Sequence, residues 1–168
     1  GARPQGAQTR TGTGWKAAAR GALFRPGLRE AAIARLAWAG LGAPDTVWCG
    51  GFSAGALKTR ILGCDARVVI PADGGNRKGS ASALKPAVDE AVASCPDVRS
   101  VLVVKRTGQD VDWVEGRDVW WHDTVEQAST KHVPQAFDSE HPLFVMYTSG
   151  TTGKPKGILH TSGGYLTQ

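Results

Sequence analysis

Residues 147–157 read Tyr-Thr-Ser-Gly-Thr-Thr-Gly-Lys-Pro-Lys-Gly and directly continue the apolar run from Leu143 to Tyr147. Such an apolar run predicts a strand, which would place the stretch after it at a sheet end. Glycines let a backbone adopt positive φ and approach an anion closely, and backbone N–H groups, hydroxyls and lysines donate to phosphate oxygens. The sequence therefore predicts a strand that leads into a polyphosphate-binding loop.

The spacing of this loop excludes one common class of phosphate loop. A P-loop needs a glycine, four residues and then Gly-Lys-Ser/Thr, and its lysine leads directly into a helix. In this chain Gly153-Lys154 is followed by Pro155, and Thr148 stands where the first glycine belongs. The loop is therefore of another type.

Several stretches resemble one enzyme family. Tyr147 to Gly157 is similar to the phosphate-binding signature of the adenylate-forming (AMP-binding) superfamily, and Trp113 to Asp123 resembles the W-x-E-G-R-D-x-W-W-H-D stretch of acetyl-CoA synthetases. Shorter matches lie at Gly50–Ser53, Ala72–Gly75, Ser82–Val92 and Ile158–Leu166. The chain thus resembles a fragment of the large N-terminal domain of an acetate–CoA ligase.

This resemblance implies an ATP-dependent acid–thiol ligase. In the family, acetate attacks the α-phosphorus of ATP to give acetyl-adenylate and pyrophosphate, and the CoA thiol then displaces AMP. ATP, Mg²⁺ and CoA are the implied cofactors and substrates. The implied ATP phosphate-binding residues are Thr148, Ser149, Gly150, Thr151, Thr152, Gly153, Lys154, Lys156 and Gly157, with Lys156 as the principal cation. The resemblance implies no catalytic side chain and no metal ligand in this part.

A second implied site is a basic turn. Arg77, Lys78, Gly79 and Ser80 align with the family segment that binds the nucleotide phosphates of CoA, often through two arginines separated by two residues. Here Ser80 occupies the position of the second arginine, and Lys78 lacks the bidentate fork of arginine. The alternative interpretation is an exposed basic turn without a ligand.

Charge is concentrated at the amino terminus. The net charge is +5, and residues 1–26 contain five basic residues and no acidic one, which leaves fifteen of each sign in the remainder. We therefore expect no nucleic-acid partner. Residues 1–26 are interpreted as a disordered or artefactual tail, with organelle targeting as a third possibility. Residues 27–168 are interpreted as a partial AMP-binding domain, truncated at its C-terminal side.

Composition and length set further expectations. With 41% hydrophobic residues and no apolar run long enough to cross a bilayer, the chain is expected to fold without a membrane. Three cysteines without a CxxC pair indicate a reducing cytoplasm rather than a metal site. We expect the fragment alone to be inactive. The alternatives are a non-catalytic remnant and a propionate-activating relative, and the oligomeric state stays open.

The order of predicted elements indicates an α/β fold, a layered sheet with flanking helices. Helices are predicted from Leu28 to Ala39, from a Ser53 cap to Leu62, and along the stripe from Leu84 to Cys95. Strands are predicted at Thr46–Cys49, Ala66–Ile70, Val101–Val104 and Leu143–Tyr147, and residues 73–80 are predicted to form a glycine-rich loop. The Trp120-Trp121-His122 run is predicted to fix a helix start by packing.

The predicted first helix and the strand after it depart from the family pattern. Arg35, Trp38, Gly40, Asp45 and Cys49 stand where acetyl-CoA synthetases typically have Met, Cys, Arg, His and Phe. Each change could arise from one base substitution that introduces a guanine. The hypothesis at this stage is local sequence error, with real divergence as the alternative.

Overall fold

A computed structural model describes residues 20–24, 29–48, 50–77, 79–148 and 155–167. Strands and helices alternate along most of these ranges. In chain order they are β1 (Arg20–Phe24), α1 (Arg29–Gly40), β2 (Asp45–Trp48), α2 (Ala54–Gly63), β3 (Ala66–Pro71), β4 (Gly74–Arg77), β5 (Ser80–Ala83), α3 (Lys85–Val92), β6 (Ser100–Val103), β7 (Asp118–Trp120), α4 (Trp121–Glu126), β8 (Pro142–Thr148), β9 (Lys156–Thr161) and α5 (Ser162–Leu166).

One seven-stranded sheet organises the fold. Its order is β7-β6-β3-β1-β2-β8-β9, and all neighbours run parallel except β8 and β9, which form an antiparallel hairpin. The connection from β1 to β2 and the connection from β2 to β3 run in opposite directions across the sheet, so right-handed crossovers place α1 and α2 on opposite faces. The predicted α/β sheet with flanking helices is confirmed.

The core lies in the middle of this sheet. Strands β1, β3 and β6 are buried on both faces, as the continuous apolar run of β6 predicts, and Val101 and Val103 are fully inaccessible. The predicted stripe of α3 is also confirmed, since the apolar side chains of Val88, Ala91 and Val92 are buried. Two helices start as expected, because the Ser53 hydroxyl accepts a hydrogen bond from Ala56 N at the start of α2 and α4 begins at Trp121.

Helix α1 packs on β1 through a glycine and a tryptophan. A Cβ added to Gly21 would lie 2.0 Å from the indole ring of Trp38, so any larger residue at this strand position would displace the ring. Trp38 itself is 5% exposed. Trp38 stands where the family typically has cysteine, and Gly21 on the facing strand leaves the space that the larger tryptophan ring needs.

Two other departures form a pair. The guanidinium of Arg35 on α1 donates to the Asp45 carboxylate on β2, with Nε and Oδ2 2.7 Å apart. Asp45 is 5% exposed. Burial raises the pKa of Asp45, and the charge and hydrogen bond of Arg35 partly offset that rise. The structure thus gives a physical reason for these two residues to occur together.

Two predictions made from the sequence are wrong. Arg20–Phe24 were placed in a disordered tail, but they form β1, a strand with neighbours on both sides. Residues 73–80 were predicted to form a loop, but residues 74–77 and 80–83 form the antiparallel hairpin β4–β5. Both segments are poor in β-branched and aromatic residues, and tertiary pairing overrides this weak local preference.

Candidate functional site

Four parallel strands, β3, β1, β2 and β8, end at one edge of the sheet. In open α/β sheets, ligands bind in the crevice outside the carboxyl ends of the strands, where neighbouring connections diverge. Here the chain leaves β1 toward β2 on one side, and it leaves the neighbouring strand β3 toward β6 on the other side, so the connections diverge between β1 and β3. The segments after β3 and β8 carry the two sites predicted from the sequence, and their strand ends are three strand spacings apart, roughly 14 Å.

The predicted ATP loop joins β8 to β9. Tyr147 lies opposite Gly157 and Thr148 opposite Lys156, so the hairpin register fixes both ends of the loop. Thr148, Lys156 and Gly157 therefore stand together at its mouth, and the Lys156 side chain is exposed. Residues 149–154, which include Ser149, Gly150, Thr151, Thr152, Gly153 and Lys154, lie outside the described residues.

Tyr147 attaches this hairpin to α2. Its hydroxyl donates to the Arg60 carbonyl at 3.3 Å, and the Arg60 guanidinium lies 5.7 Å from the centre of its ring and 4.2 Å from that of Phe52. Burial raises the pKa of Tyr147. A Cβ on Gly157 would lie 3.0 Å from Val145 and 3.3 Å from the Tyr147 ring, so the glycine lets the two strands approach. The loop is thus held by packed side chains at its base.

Of the predicted CoA-binding residues, Arg77 ends β4 and Ser80 begins β5. Arg77 and Ser80 are directly opposite each other in the hairpin register, and Gly79 adopts φ +80°, which suits a two-residue turn. Lys78 and the side chain of Arg77 lie outside the described part of the chain. The hairpin follows β3 and therefore rises from the same sheet edge as the ATP loop.

Asp73, at the base of this hairpin, was not predicted as an organising residue. Its carboxylate accepts backbone hydrogen bonds from Gly74, Arg106, Thr107 and Gly108, at 2.6 to 3.2 Å. The side chain is fully buried. Burial alone would raise the pKa of Asp73, but these N–H donors outweigh it and lower the pKa, so the carboxylate stays ionised. Gly74 is the next residue, but the other three donors come 33 to 35 residues later in the chain, and no local sequence signal reveals them.

Arg117 and Asp118 of the tryptophan-rich stretch belong to a buried ionic network. Lys85 Nζ contacts Asp118 Oδ2 at 2.7 Å and Asp89 Oδ1 at 2.9 Å, and Arg117 Nε contacts Asp118 Oδ1 at 2.6 Å. Arg117 also pairs with Asp89. Burial would raise the pKa of Asp118, but the hydrogen bonds from Arg117 and Lys85 lower it. The network ties α3 to the edge strand β7.

The aromatic residues of this stretch pack on one another. Trp113 stacks on Trp120 with ring centres 4.8 Å apart, and Trp120 stacks on His122 at 5.8 Å. The predicted helix start at Trp120, Trp121 and His122 is confirmed, since α4 begins at Trp121, whose side chain is buried. The described ranges contain no group of three or more His, Cys, Asp or Glu residues placed to hold a metal ion, and none of their helices could span a membrane.

A groove of about 440 Å³ runs beside the hairpin that carries the ATP loop. Its walls include Val145, Tyr147, Gly157 and Leu159 from the hairpin and Arg20 from the start of β1. Its surface is mainly apolar, and Arg20 is its one charged group in the described structure. It could receive an apolar or singly charged group, whereas the carboxyl edge, with its lysines and backbone donors, suits polyphosphates.

Comparison with known proteins shows which family and which enzymes this chain is similar to. The family of AMP-binding enzymes matches residues 10–168. Acetyl-coenzyme A synthetase of Streptomyces coelicolor (strain ATCC BAA-471 / A3(2) / M145) is 65% identical over 147 residues, which are 88% of this chain and 23% of that protein. The acetyl-coenzyme A synthetase of Mycolicibacterium smegmatis (strain ATCC 700084 / mc(2)155) is 60% identical over 158 residues, which are 94% of this chain and 17% of that protein.

A solved structure gives the same result for the fold. The acetoacetyl-CoA synthetase from Streptomyces lividans superposes with a TM-score of 0.85 at 26% identity, over 97% of this chain and 25% of that one. The chain therefore spans about a quarter, or less, of the length of these relatives. Because the family match extends over nearly all of its residues, the chain belongs to the family of AMP-binding enzymes.

Proposed function

We propose that this chain is part of an acetate–CoA ligase, which uses ATP to convert acetate to acetyl-adenylate and then to acetyl-CoA. The observation that carries the proposal is the β8–β9 hairpin: a Gly/Thr/Lys loop whose two ends are held in register at the carboxyl edge of an α/β sheet. The names of the relatives support the choice of acid and thiol, since the similar proteins from Streptomyces coelicolor and Mycolicibacterium smegmatis are acetyl-coenzyme A synthetases.

In this proposal the loop binds the β- and γ-phosphates of ATP. Ser149, Thr151 and Thr152 donate hydroxyl hydrogen bonds, the glycines offer backbone N–H groups, and Lys156 supplies the main positive charge, with Lys154 secondary. Phosphoryl-type transfer requires mostly positioning and charge stabilisation from the protein, which fits a loop of hydroxyl donors, backbone N–H groups and lysines. Mg²⁺ bound with ATP would offset further phosphate charge.

The β4–β5 tip is proposed to bind CoA through Arg77, Lys78, Gly79 and Ser80. Its position after β3 supports this, because a thiol substrate held there would reach the same crevice as the nucleotide on the ATP loop. The described core extends to residue 20, so we propose that the domain includes β1 and begins before residue 27. We also propose the cytoplasm as the site of action, where ATP and CoA are available.

The proposal is tested in a chimera. Residues of this chain would replace the 147 aligned residues of the Streptomyces coelicolor enzyme, and acetate-dependent exchange of labelled pyrophosphate into ATP would be measured. We expect exchange, and we expect Lys156→Ala to lower its rate by about 100-fold, because one well-placed donor to a developing anion contributes that much.

The matched control is Lys131→Ala, another exposed lysine that lies in the irregular segment before β8. This variant should exchange pyrophosphate at the unmodified rate. A chimera that folds but shows no exchange, beside an active parent, would contradict the proposal. Exchange that requires propionate instead of acetate would identify a short-chain relative.

A further inference from the structure

We propose that Lys105 and Arg106 form an anion-binding surface with the β4–β5 hairpin, and that this surface contacts phosphates of CoA. The inference rests on the proposed function, since it identifies further residues for the thiol substrate. It would explain how the chain binds that substrate with Ser80 where the family often has a second arginine. Three features of the structure support it.

The first feature is a shared anchor. One carboxylate oxygen of Asp73 accepts hydrogen bonds from Gly74 N at 2.6 Å and from Arg106 N at 2.8 Å. Gly74 begins β4 and Arg106 follows β6, so a single buried atom holds the hairpin base beside the two cations. The parallel bridge between Ala72 and Val104 continues the pairing of β3 with β6 up to this point. The two segments are therefore fixed relative to each other.

The second feature is close packing between the same two segments. A Cβ added to Gly74 would lie 2.5 Å from Thr107 Oγ1, and 2.9 Å from the backbone oxygen of Ser82 on β5. No side chain larger than hydrogen fits between the hairpin base and the loop after β6. This contact leaves the hairpin little freedom to swing away from Lys105 and Arg106.

The third feature is that the positive charges of Lys105 and Arg106 have no ion-pair partner among the described residues. Lys105 and Arg106 are both exposed, and neither side chain forms an ion pair or a hydrogen bond with the described residues. The Asp73 carboxylate, which accepts from the Arg106 backbone, is already bonded by backbone N–H groups and forms no ion pair with either cation. Unpaired cations fixed at the carboxyl edge of an α/β sheet lie where anionic ligands bind. Arginine and lysine there can donate directly to phosphate oxygens.

The test measures CoA binding by the chimera of this chain with the Streptomyces coelicolor enzyme, in the absence of ATP and acetate, by titration calorimetry at low salt, and this chimera is the unmodified chain to which the variants are compared. The double variant Lys105→Ala with Arg106→Ala should weaken binding by about tenfold or more, since each lost charge-assisted contact contributes substantially. Its affinity should also depend less steeply on salt than that of the unmodified chain. Circular dichroism of each variant confirms that the fold is retained.

The matched control removes the same charge elsewhere. Lys58→Ala with Arg99→Ala changes two exposed cations, one on α2 and one just before β6 at the opposite end of that strand. This control should bind CoA as the unmodified chain does. A loss of affinity equal to that of the first double variant would overturn the proposal, because it would show that only net charge matters.

Dephospho-CoA, which lacks the 3′-phosphate, identifies the group contacted. Weaker binding of CoA alone by the Lys105/Arg106 variant would assign the contact to the 3′-phosphate, and equal weakening of both ligands would assign it to the pyrophosphate. Equal affinities of variant and unmodified chain, or no CoA binding by the unmodified chain, would overturn the proposal. Because no turnover is measured, a failure of the proposed ligase activity would be seen separately, in pyrophosphate exchange.

Discussion

The centre of the sheet and the β8–β9 hairpin belong to one structure but differ in burial. In β1, β3 and β6, apolar side chains are at most a few per cent exposed, whereas Met146, Ile158 and Leu159 in the hairpin are 45 to 54% exposed. The hairpin nevertheless carries the loop that belongs to the proposed chemistry. Stability and the proposed chemistry therefore belong to different strands of the same sheet: the buried central strands stabilise the fold, and the more exposed β8–β9 hairpin carries the loop of the proposed ATP site.

The largest expected effect tests this division directly. Phe24 in β1 is 1% exposed, and Phe24→Ala should lower the free energy of unfolding by about 4 kcal/mol, through lost apolar burial and an unfilled cavity. Leu159→Ala in the hairpin should cost less than about 1 kcal/mol, because the side chain is already 54% exposed. Urea unfolding followed by circular dichroism measures both. Similar losses in the two variants would remove the distinction between the regions.

The sequence predicted the elements whose signals are local. The cap of α2, the apolar stripe of α3 and the continuous apolar run of β6 can each be recognised within a few neighbouring residues. The loop after β8 is recognised in the same way, from the composition of one short stretch. Strand β1 was missed because Arg-Gly-Ala-Leu-Phe has little strand preference of its own and is ordered by β2 and β3 on either side. Helix α1 was predicted from the four-residue spacing of Leu28, Ala32 and Leu36, yet Leu36 is exposed in the structure. Trp38 is buried instead, because Gly21 on the facing strand leaves room for its ring.

The candidate sites divide in the same way. Glycine, threonine and lysine composition predicts a polyphosphate-binding loop after β8, since these residue types act together over a short stretch, and ATP binding there stays a prediction. The role of Asp73 could not be predicted, because three of its four hydrogen-bond donors belong to a segment more than thirty residues later and become neighbours only when β3 pairs with β6. The ionic network of Lys85 and Asp118 has the same long-range origin.

At the opposite edge of the sheet, β7 is held by ion pairs as well as by aromatic packing. Asp118→Asn should lower the free energy of unfolding by about 3 kcal/mol, since it leaves the fully buried Lys85 without its closest charged partner. The control Asp123→Asn changes an aspartate that is 53% exposed and should stay within about 0.5 kcal/mol. Chemical denaturation at pH 7 compares the two, and equal effects would argue against the network.

Two buried aspartates, Asp118 of this network and Asp73 below the β4–β5 hairpin, contribute to the acid response. The folded-state pKa values of Asp73 and Asp118 lie below the usual aspartate value, so on acidification the unfolded chain takes up protons first. Their stabilisation is complete above about pH 4 and is lost as the pH falls through the folded-state values. Asp118→Asn should therefore flatten the decline of stability below pH 4. An unchanged slope would mean that Asp118 does not titrate in this way.

The smallest expected effect concerns Arg35 and Asp45, which connect α1 to the base of the hairpin. Asp45 pairs in the sheet with Phe144 of β8, and the Arg35 guanidinium lies 5.0 Å from the centre of the Phe144 ring. Because the Arg35 side chain is 42% exposed, solvent screens the pair, and a double-mutant cycle with Arg35→Met and Asp45→Asn should give a coupling of only about 0.5 to 1 kcal/mol. Thermal or urea unfolding of the four proteins at pH 7 measures it.

The pH dependence of Arg35→Met separates a matched pair from two unrelated substitutions. Burial already raises the pKa of Asp45, and removal of the guanidinium should raise it further, so the folded variant would hold a proton that the unfolded chain releases. Its stability should therefore fall as the pH rises above about 4, and its deficit should be larger at pH 7 than at pH 4. A deficit that is the same at both pH values, with no coupling in the cycle, would show that the two departures from the family pattern do not compensate each other.

Coupling with the expected pH dependence would instead favour real divergence over sequence error at these two positions, because independent errors have no reason to restore a charge pair.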